Sequence, residues 1–263
     1  CGAFIELAVT AAAQRSVSVK VDLFPDGAPA DQELPKGSRV ATLVLGEPGS
    51  APVDPLFAQL VRRHTRKTAY ASDRALPEAL VRSWGETAAS FGLRSGVATG
   101  KAAMDPIRRI TREAYEIETI TTRTWLESAR LMRIGPAAIA ANPDGISLNS
   151  PMVRALHTVG LFDPMEVPAR GSKTLERVME RWVPFETASG FLWLASPDNS
   201  RPAQVASGRA YVRAHLLATA AGVDMHPLSQ ALQEFTEMLS RVGFATDSRG
   251  PSPRRSLQSM LRT

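Results

Sequence analysis

Two kinds of apolar periodicity organise the first 50 residues. Apolar residues recur at helical spacing over 1–14, which predicts a helix. Over 17–23 they alternate with polar residues, which predicts a half-buried strand. A turn signal at 25–27 leads to a second predicted strand at 39–45. The Gly, Pro and Ser residues of 46–53 then indicate a linker and a domain boundary.

The rest of the chain alternates predicted helices with isolated strands. An Asp-Pro pair, which supplies an N-cap and a proline for the first turn, opens two of the helices. The predicted helices are 54 to about 63, 77 to about 91, 105 to about 132, 172–185, 201–222 and 227–242, and the predicted strands are 93–99 and 190–195. This order predicts an α+β fold rather than a regular βαβ repeat.

One stretch, at about 136–170, departs from regular periodicity. It carries a turn at 142–145 and several further prolines and glycines, which predict irregular structure. Its apolar residues, among them Leu156 and Phe162, argue against disorder because they need a surface to pack on. We expect either an arm that packs on the core or a lid over a ligand.

Composition narrows the class of protein. Of the 263 residues, 44% are hydrophobic, which excludes an intrinsically disordered chain. The richest apolar stretch, 203–223, is interrupted by Arg209, Arg213 and His215, so no membrane span is predicted. Cys1 is the only cysteine, which excludes an intrachain disulfide and a cysteine zinc site. We expect a cytoplasmic protein.

The charge balance is compatible with an anionic partner, although an arginine-rich surface without a ligand is the stronger interpretation. The formal net charge is +5, and all but five of the 31 basic residues are arginines. The planar guanidinium suits phosphate and carboxylate better than an ammonium does. A nucleotide and a nucleic acid both satisfy this composition, and so does an arginine-rich surface with no ligand.

The sequence lacks several common catalytic and nucleotide-binding motifs. Residues 96–101 resemble a phosphate loop, but Ser95 and Ala102 stand where the motif needs glycine and Ser or Thr. The sequence has no GxGxxG fingerprint, no GxSxG elbow and no HxxxH pair, so we predict no metal site. The carboxylates of 113–118 are spaced for ion pairs along a solvated helix face.

The basic run at 62–67 is the strongest candidate for binding chemistry. Its sequence is RRHTRK, so cationic or protonatable side chains surround the hydroxyl of Thr65 at the end of a predicted helix. Such a group can hold a phosphate through charge-assisted hydrogen bonds. Complementation of the helix dipole by a basic C-terminus is an equal alternative. Binding of nucleic acid is a weaker one, because no aromatic residues interleave with the run.

Four stretches together resemble the FMN-binding nitroreductase superfamily, in particular its divergent acr-coregulated (Acg-like) branch. They are DPLFAQLVRRHTRK (54–67), NPDGISL (142–148), the long run from GFLWLA to LSQAL (190–232) and SPRR (252–255). The opening CGAFIELAVTAAAQ is similar to the same branch. The resemblance implies an antiparallel-type central sheet flanked by long helices.

The resemblance also implies which residues meet FMN. The superfamily's pattern for the flavin phosphate falls on Arg63, His64, Thr65 and Lys67, with Arg66 at its variable position. Its turn that contacts the flavin ring through main-chain amides falls on Pro227, Leu228, Ser229 and Gln230, and its late basic pair on Arg254 and Arg255. No catalytic side chain is implied, because the flavin performs the chemistry.

The Acg-like branch resembles two fused nitroreductase halves, a monomer that mimics the usual homodimer. Residues 1–50 then correspond to the end of a first half and 54–263 to the second, with the 136–170 excursion as a lid. The branch's upstream segment of the type Pro-Ser-x-x-Asn-x-Gln-Pro-Trp has no counterpart here. We therefore expect either a chain that lacks part of the first half or a degenerate flavin site.

Two functions follow from the resemblance. The first is an NAD(P)H-dependent reductase of nitroaromatic or quinone-like acceptors, working as a monomeric pseudo-dimer or a homodimer. The second is a protein that sequesters FMN without turnover, which a lid would favour. We expect FMN, a nicotinamide and a small aromatic acceptor as partners, and neither nucleic acid nor membrane.

Overall fold

A computed structural model describes residues 1–28, 37–71, 74–180 and 184–232. They form two compact units. The first comprises Cys1–Met104 and Glu186–Pro227, and the second comprises Asp105–Phe185 and the residues from Leu228 on. This division by compactness differs from the predicted boundary at 46–53, and the prediction of two fused halves stays a prediction.

Helices and short strands alternate along the described chain in an α+β arrangement. The helices are α1 (Gly2–Ala13), a 3-10 helix (Pro55–Gln59), α2 (Glu78–Ser90), α3 (Lys101–Ile120), α4 (Thr122–Arg130), α5 (Gly135–Ala141), α6 (Pro151–Thr158), α7 (Lys173–Glu180), α8 (Pro184–Thr187) and α9 (Arg201–Ala220). The strands are β1 (Val17–Leu23), β2 (Ala41–Pro48), β3 (Arg94–Ala98), β4 (Met132–Ile134), β5 (Ile146–Leu148) and β6 (Phe191–Ala195).

The core of the first unit is built around α9. Ser200 caps this helix by accepting a hydrogen bond from the Ala203 amide, and Gly222, with φ of +70°, ends it in a left-handed turn. Ala210, Leu216 and Ala218 of α9 are fully buried, which places the helix in the interior. Burial of this apolar surface stabilises the unit.

Helices α1 and α2 pack directly against α9. The indole Nε1 of Trp84, in α2, donates to the Ala214 carbonyl of α9 at 2.9 Å, which satisfies the only polar atom of a buried side chain. Gly2 and Gly208 let α1 approach α9 closely, since a Cβ on Gly2 would overlap the carbonyl oxygen of Val205. Buried Glu6 of α1 accepts hydrogen bonds from Arg209 and Arg213 of α9.

The described strands form three separate two-stranded sheets rather than the one central sheet that was expected. β1 pairs with β2 and β3 with β6, both antiparallel, and β4 pairs with β5 in parallel. β6 is half-buried rather than buried, and Trp193 in it is 48% exposed. Gly96 in β3 faces the Trp193 indole, whose ring occupies the space that a Cβ would need.

The second unit contains the stretch that was predicted to be irregular. α5, which begins at Gly135, together with β5 and α6 occupies much of it, and the residues with neither helix nor strand are 142–145, 149–150 and 159–170. Trp125 of α4 anchors this last part, because its buried indole donates to the Pro164 carbonyl at 2.8 Å. The predicted irregularity is therefore wrong over α5 and α6, and the lid stays a prediction.

Most predicted helices and strands are present, with shifted ends. The predicted helix from Asp54 is a 3-10 helix that stops at Gln59, and α3 begins at Lys101 rather than at Asp105, with Pro106 inside it. The predicted helix from Pro227 is wrong over 227–232, where residues 227–229 have no regular secondary structure and 230–232 form a turn. Its remainder, to Val242, lies outside the described residues.

Candidate anion-binding site

The basic segment 62–67 follows the 3-10 helix in the first unit. Asp54 caps that helix by accepting from the Leu56 amide at 3.0 Å, and its other oxygen accepts from Arg213 of α9 at 2.7 Å. The amides of Arg62 and Arg63 both donate to the Gln59 carbonyl, which forms a turn at the end of the 3-10 helix. The segment is thus held against α9 from its N-terminal side.

Backbone pairing with the chain after α9 fixes the other end of the segment. Thr65 forms a parallel bridge with Met225, and the Arg66 amide donates to the Met225 carbonyl at 3.0 Å. The imidazole Nδ1 of His226 contacts the Arg66 carbonyl. The predicted phosphate segment therefore lies beside the residues that lead directly into Pro227.

The three remaining residues of the predicted ring-contacting turn belong to the second unit. The Ser229 amide donates to the Gln230 side-chain oxygen at 3.2 Å, and the Leu232 amide donates to the Ser229 carbonyl. The Gln230 side chain also hydrogen-bonds to Glu118, whose carboxyl pKa burial raises above its ordinary value. The predicted basic pair Arg254 and Arg255 lies outside the described residues.

Asp224 compensates part of the charge in the basic segment. Its carboxylate accepts from Arg66 Nη1 at 3.3 Å and lies 3.5 Å from Nε2 of His64. Arg66 also donates to the Ala69 carbonyl. These contacts give Arg66 a structural role.

The surroundings of Arg63 differ from those of Arg66. Its side chain is half-buried, and its Nη1 lies 3.5 Å from Nδ1 of His215. Within the described ranges no carboxylate pairs with Arg63, whereas Arg66 pairs with Asp224; the Nε atoms of both arginines are buried without a hydrogen-bond partner. A half-buried positive charge that contacts an uncharged group favours binding of an anion, because desolvation is then offset by a charge-assisted hydrogen bond.

The neighbour of Arg63, His215, is a buried polar residue on an otherwise apolar face of α9, and it is 1% exposed. Its Nε2 lies 3.1 Å from the His64 carbonyl and its Nδ1 lies 3.3 Å from the Tyr211 hydroxyl. A carbonyl only accepts, so Nε2 carries the proton and Nδ1 accepts. Burial and the Arg63 charge lower the pKa of His215, which keeps the ring neutral.

Two tyrosines complete the surroundings of Arg63 and Asp224. Burial raises the pKa of Tyr70 to about 12, and the nearby Asp224 charge adds to this shift. Burial also raises the pKa of Tyr211. Both phenols therefore stay protonated near neutral pH and add no negative charge that would repel an anion.

Sequence reasoning missed His215, Tyr211 and Asp224. The four histidines lack HxxxH spacing, which predicts no metal pair but says nothing about the buried polar contacts of His215. The signal available was a tyrosine and a histidine at i and i+4 of one long helix, which places them on one face. Their contact with Arg63 spans 152 residues, which no local pattern predicts.

No protein-family model matches the sequence, and no curated protein matches it either. The resemblance to the nitroreductase superfamily therefore depends on the sequence stretches quoted above. None of the described helices has the length and apolar character needed to cross a membrane.

Proposed function

We propose that this protein binds FMN non-covalently, as members of the nitroreductase superfamily do, with the flavin phosphate at Arg63. The observation that carries the proposal is the half-buried Arg63 side chain, which contacts neutral His215 and has no carboxylate partner in the described parts of the chain. Backbone pairing of Thr65 with Met225 supports it, because both residues lie in stretches that carry the resemblance, 54–67 and 190–232.

The residues present fit a phosphate monoester. Arg63 would supply the main charge-assisted hydrogen bonds, Thr65 a hydroxyl, and exposed Lys67 a further positive charge. The orphaned Nε of Arg63 is a donor that such an anion would satisfy. Asp224 opposes binding electrostatically, but its contacts with Arg66 and His64 compensate its charge locally.

FMN, when bound, supplies hydride chemistry between a nicotinamide and a nitroaromatic or quinone-like acceptor. The chain's own part would be to bind and orient the flavin through its phosphate. We assign no side chain to acid–base catalysis. Sequestration of FMN without turnover is the alternative outcome of the same binding site.

Titration of the purified full chain with FMN tests the proposal. We expect flavin fluorescence to be quenched with one-to-one stoichiometry and the visible spectrum to shift on binding. Riboflavin, which lacks the phosphate, is the matched control ligand and should bind far more weakly. Equal affinity for FMN and riboflavin, or no binding of FMN, would contradict a phosphate site at Arg63.

A second measurement separates the two functions. Anaerobic addition of NADH or NADPH to the FMN complex should bleach the flavin absorbance if the protein is a reductase. Binding of FMN without bleaching by either nicotinamide would assign the protein to sequestration.

A further inference from the structure

We infer that His215 is a positioning residue of the anion site: its neutral imidazole fixes the guanidinium of Arg63 through Nδ1 and the backbone of His64 through Nε2. The two contacts are 3.5 and 3.1 Å long. The inference rests on the proposed function, because it assigns His215 a role toward the same phosphate.

The hydrogen-bond inventory of a neutral imidazole explains why histidine suits this position. The ring has one N–H donor and one acceptor nitrogen, which point in different directions within the ring plane. The His64 carbonyl requires the donor, and the donors of Arg63 and Tyr211 require the acceptor. His215 thus connects the backbone carbonyl of His64 with the side chain of Arg63.

The location of His215 makes this connection rigid. It lies on α9 among fully buried apolar residues, so its ring has little freedom to turn. Tyr211, one helical turn earlier, stacks edge-on against it with ring centroids 5.8 Å apart. A pre-ordered Arg63 loses less conformational entropy when an anion binds, which improves affinity.

The charged and titratable groups that face His215 come from three parts of the first unit. Tyr211 lies on its own helix, Arg63 and His64 lie on the basic segment, and Asp224 follows α9. Burial and the charge of Arg63 lower the pKa of His215, and the His64 carbonyl opposes this shift. Protonation of Nδ1 would place two cations side by side and remove the acceptor that holds Arg63.

Nitrogen NMR of the full chain labelled on histidine tests the contact without any ligand. The His215 signals are assigned by their loss in His215→Asn and followed between pH 5 and 8. We expect the Nε2–H tautomer, and a pKa that rises in Arg63→Ala but not in Arg62→Ala, whose side chain is exposed. The opposite tautomer, or an unchanged pKa in Arg63→Ala, would overturn the inference.

FMN titration of two His215 variants tests the consequence for binding. Asn places an amide oxygen near the position of Nδ1 and keeps the acceptor for Arg63, whereas Leu fills the same space without it. We expect His215→Leu to weaken FMN binding about 10-fold and His215→Asn to stay within about 3-fold of the parent chain.

The outcomes distinguish the two proposals. If the parent chain binds FMN and folded His215→Leu binds it equally well, His215 does not position Arg63, and the proposed function stands. If the parent chain binds no FMN, the proposed function fails, and the NMR comparison of Arg63→Ala with Arg62→Ala alone decides whether His215 holds Arg63. Circular dichroism of each variant reports that it is folded.

Discussion

Arg66 donates from Nη1 to the carboxylate of Asp224 across 3.3 Å, although 158 residues separate them in the sequence. This pair compensates the charge of Arg66 and ties the basic segment to the chain that follows α9. Arg63, three residues earlier, faces a neutral imidazole instead. Two arginines of one short segment therefore have different partners, which agrees with the proposal that only Arg63 binds the phosphate.

We expect Arg63→Ala to weaken FMN binding more than Arg66→Ala does. Loss of a charge-assisted hydrogen bond to phosphate costs about 1.5–3 kcal/mol, or roughly 10- to 150-fold in the dissociation constant. Arg66→Ala removes a partly exposed ion pair, so it should lower the free energy of unfolding slightly instead. Fluorescence titration and urea unfolding measure the two effects.

The matched control for Arg63→Ala is Arg62→Ala. It makes the same change in net charge at the adjacent position, where the side chain is exposed. It should alter the dissociation constant by less than about threefold, since exposed charges are screened by salt. Equal dissociation constants for Arg63→Ala and Arg66→Ala would show that the phosphate is not at Arg63.

Because α1 and α9 approach closely, adding one methyl group between them should strongly lower the free energy of unfolding. In Gly2→Ala the new methyl group would overlap the Val205 carbonyl, so the helices must separate, and we expect a loss of about 1–3 kcal/mol in the free energy of unfolding. Gly85→Ala is the control, because Gly85 lies in α2 with open space around its Cα. It should stabilise the protein by about 0.5–1 kcal/mol through helix propensity. Equal effects of the two variants in urea unfolding would contradict the packing of α1 on α9.

The start of the 3-10 helix and its end differ in how far the sequence predicts them. The start depends on Asp54 and Pro55, whose capping and fixed φ act within three residues. Beyond the end, Thr65 and Arg66 pair with Met225, about 160 positions away in the sequence. Local periodicity carries no information on that pairing, and no local signal marks the end of the helix at Gln59.

In the candidate site, too, the sequence predicts the local features and not the long-range contacts. The basic run is visible in the sequence, and the resemblance singles out Arg63 within it. The reason that Arg63 differs from Arg66 is the identity of their partners, His215 and Asp224, and both contacts are long-range. Met225 and His226 are likewise held beside the basic segment by contacts with Thr65 and Arg66 that no local pattern predicts.

The turn at Ser229 gives a prediction about backbone rather than side chain. The resemblance assigns ring contacts to main-chain amides, so Ser229→Ala should change FMN affinity less than about twofold. Ser229→Pro removes the amide donor, which also bonds to the Gln230 side chain, and should weaken binding clearly. Fluorescence titration compares the two, and a large loss of affinity in Ser229→Ala would show that the hydroxyl itself binds.

Two histidines should make the stability of the protein sensitive to mild acid. Burial lowers the pKa of His215 and of His226 below the ordinary value of 6.5, so the folded chain keeps both rings neutral at pH values where the unfolded chain protonates them. The unfolded state then binds more protons, and the free energy of unfolding falls as the pH drops from 7 through 6.5 toward 5.

His215→Leu removes one of the two titrating groups and should make this pH dependence shallower. The raised pKa of Glu118 acts in the opposite direction, since the folded state there binds the extra proton, but it contributes equally to both chains. Urea unfolding of the parent chain and of His215→Leu at pH 5, 6 and 7 gives the two slopes. The parent should lose more stability between pH 7 and 5 than the variant does, whatever their stabilities at pH 7. Parallel curves would mean that His215 has the same pKa in the folded and unfolded chain, and would remove the argument that its ring is held neutral beside Arg63.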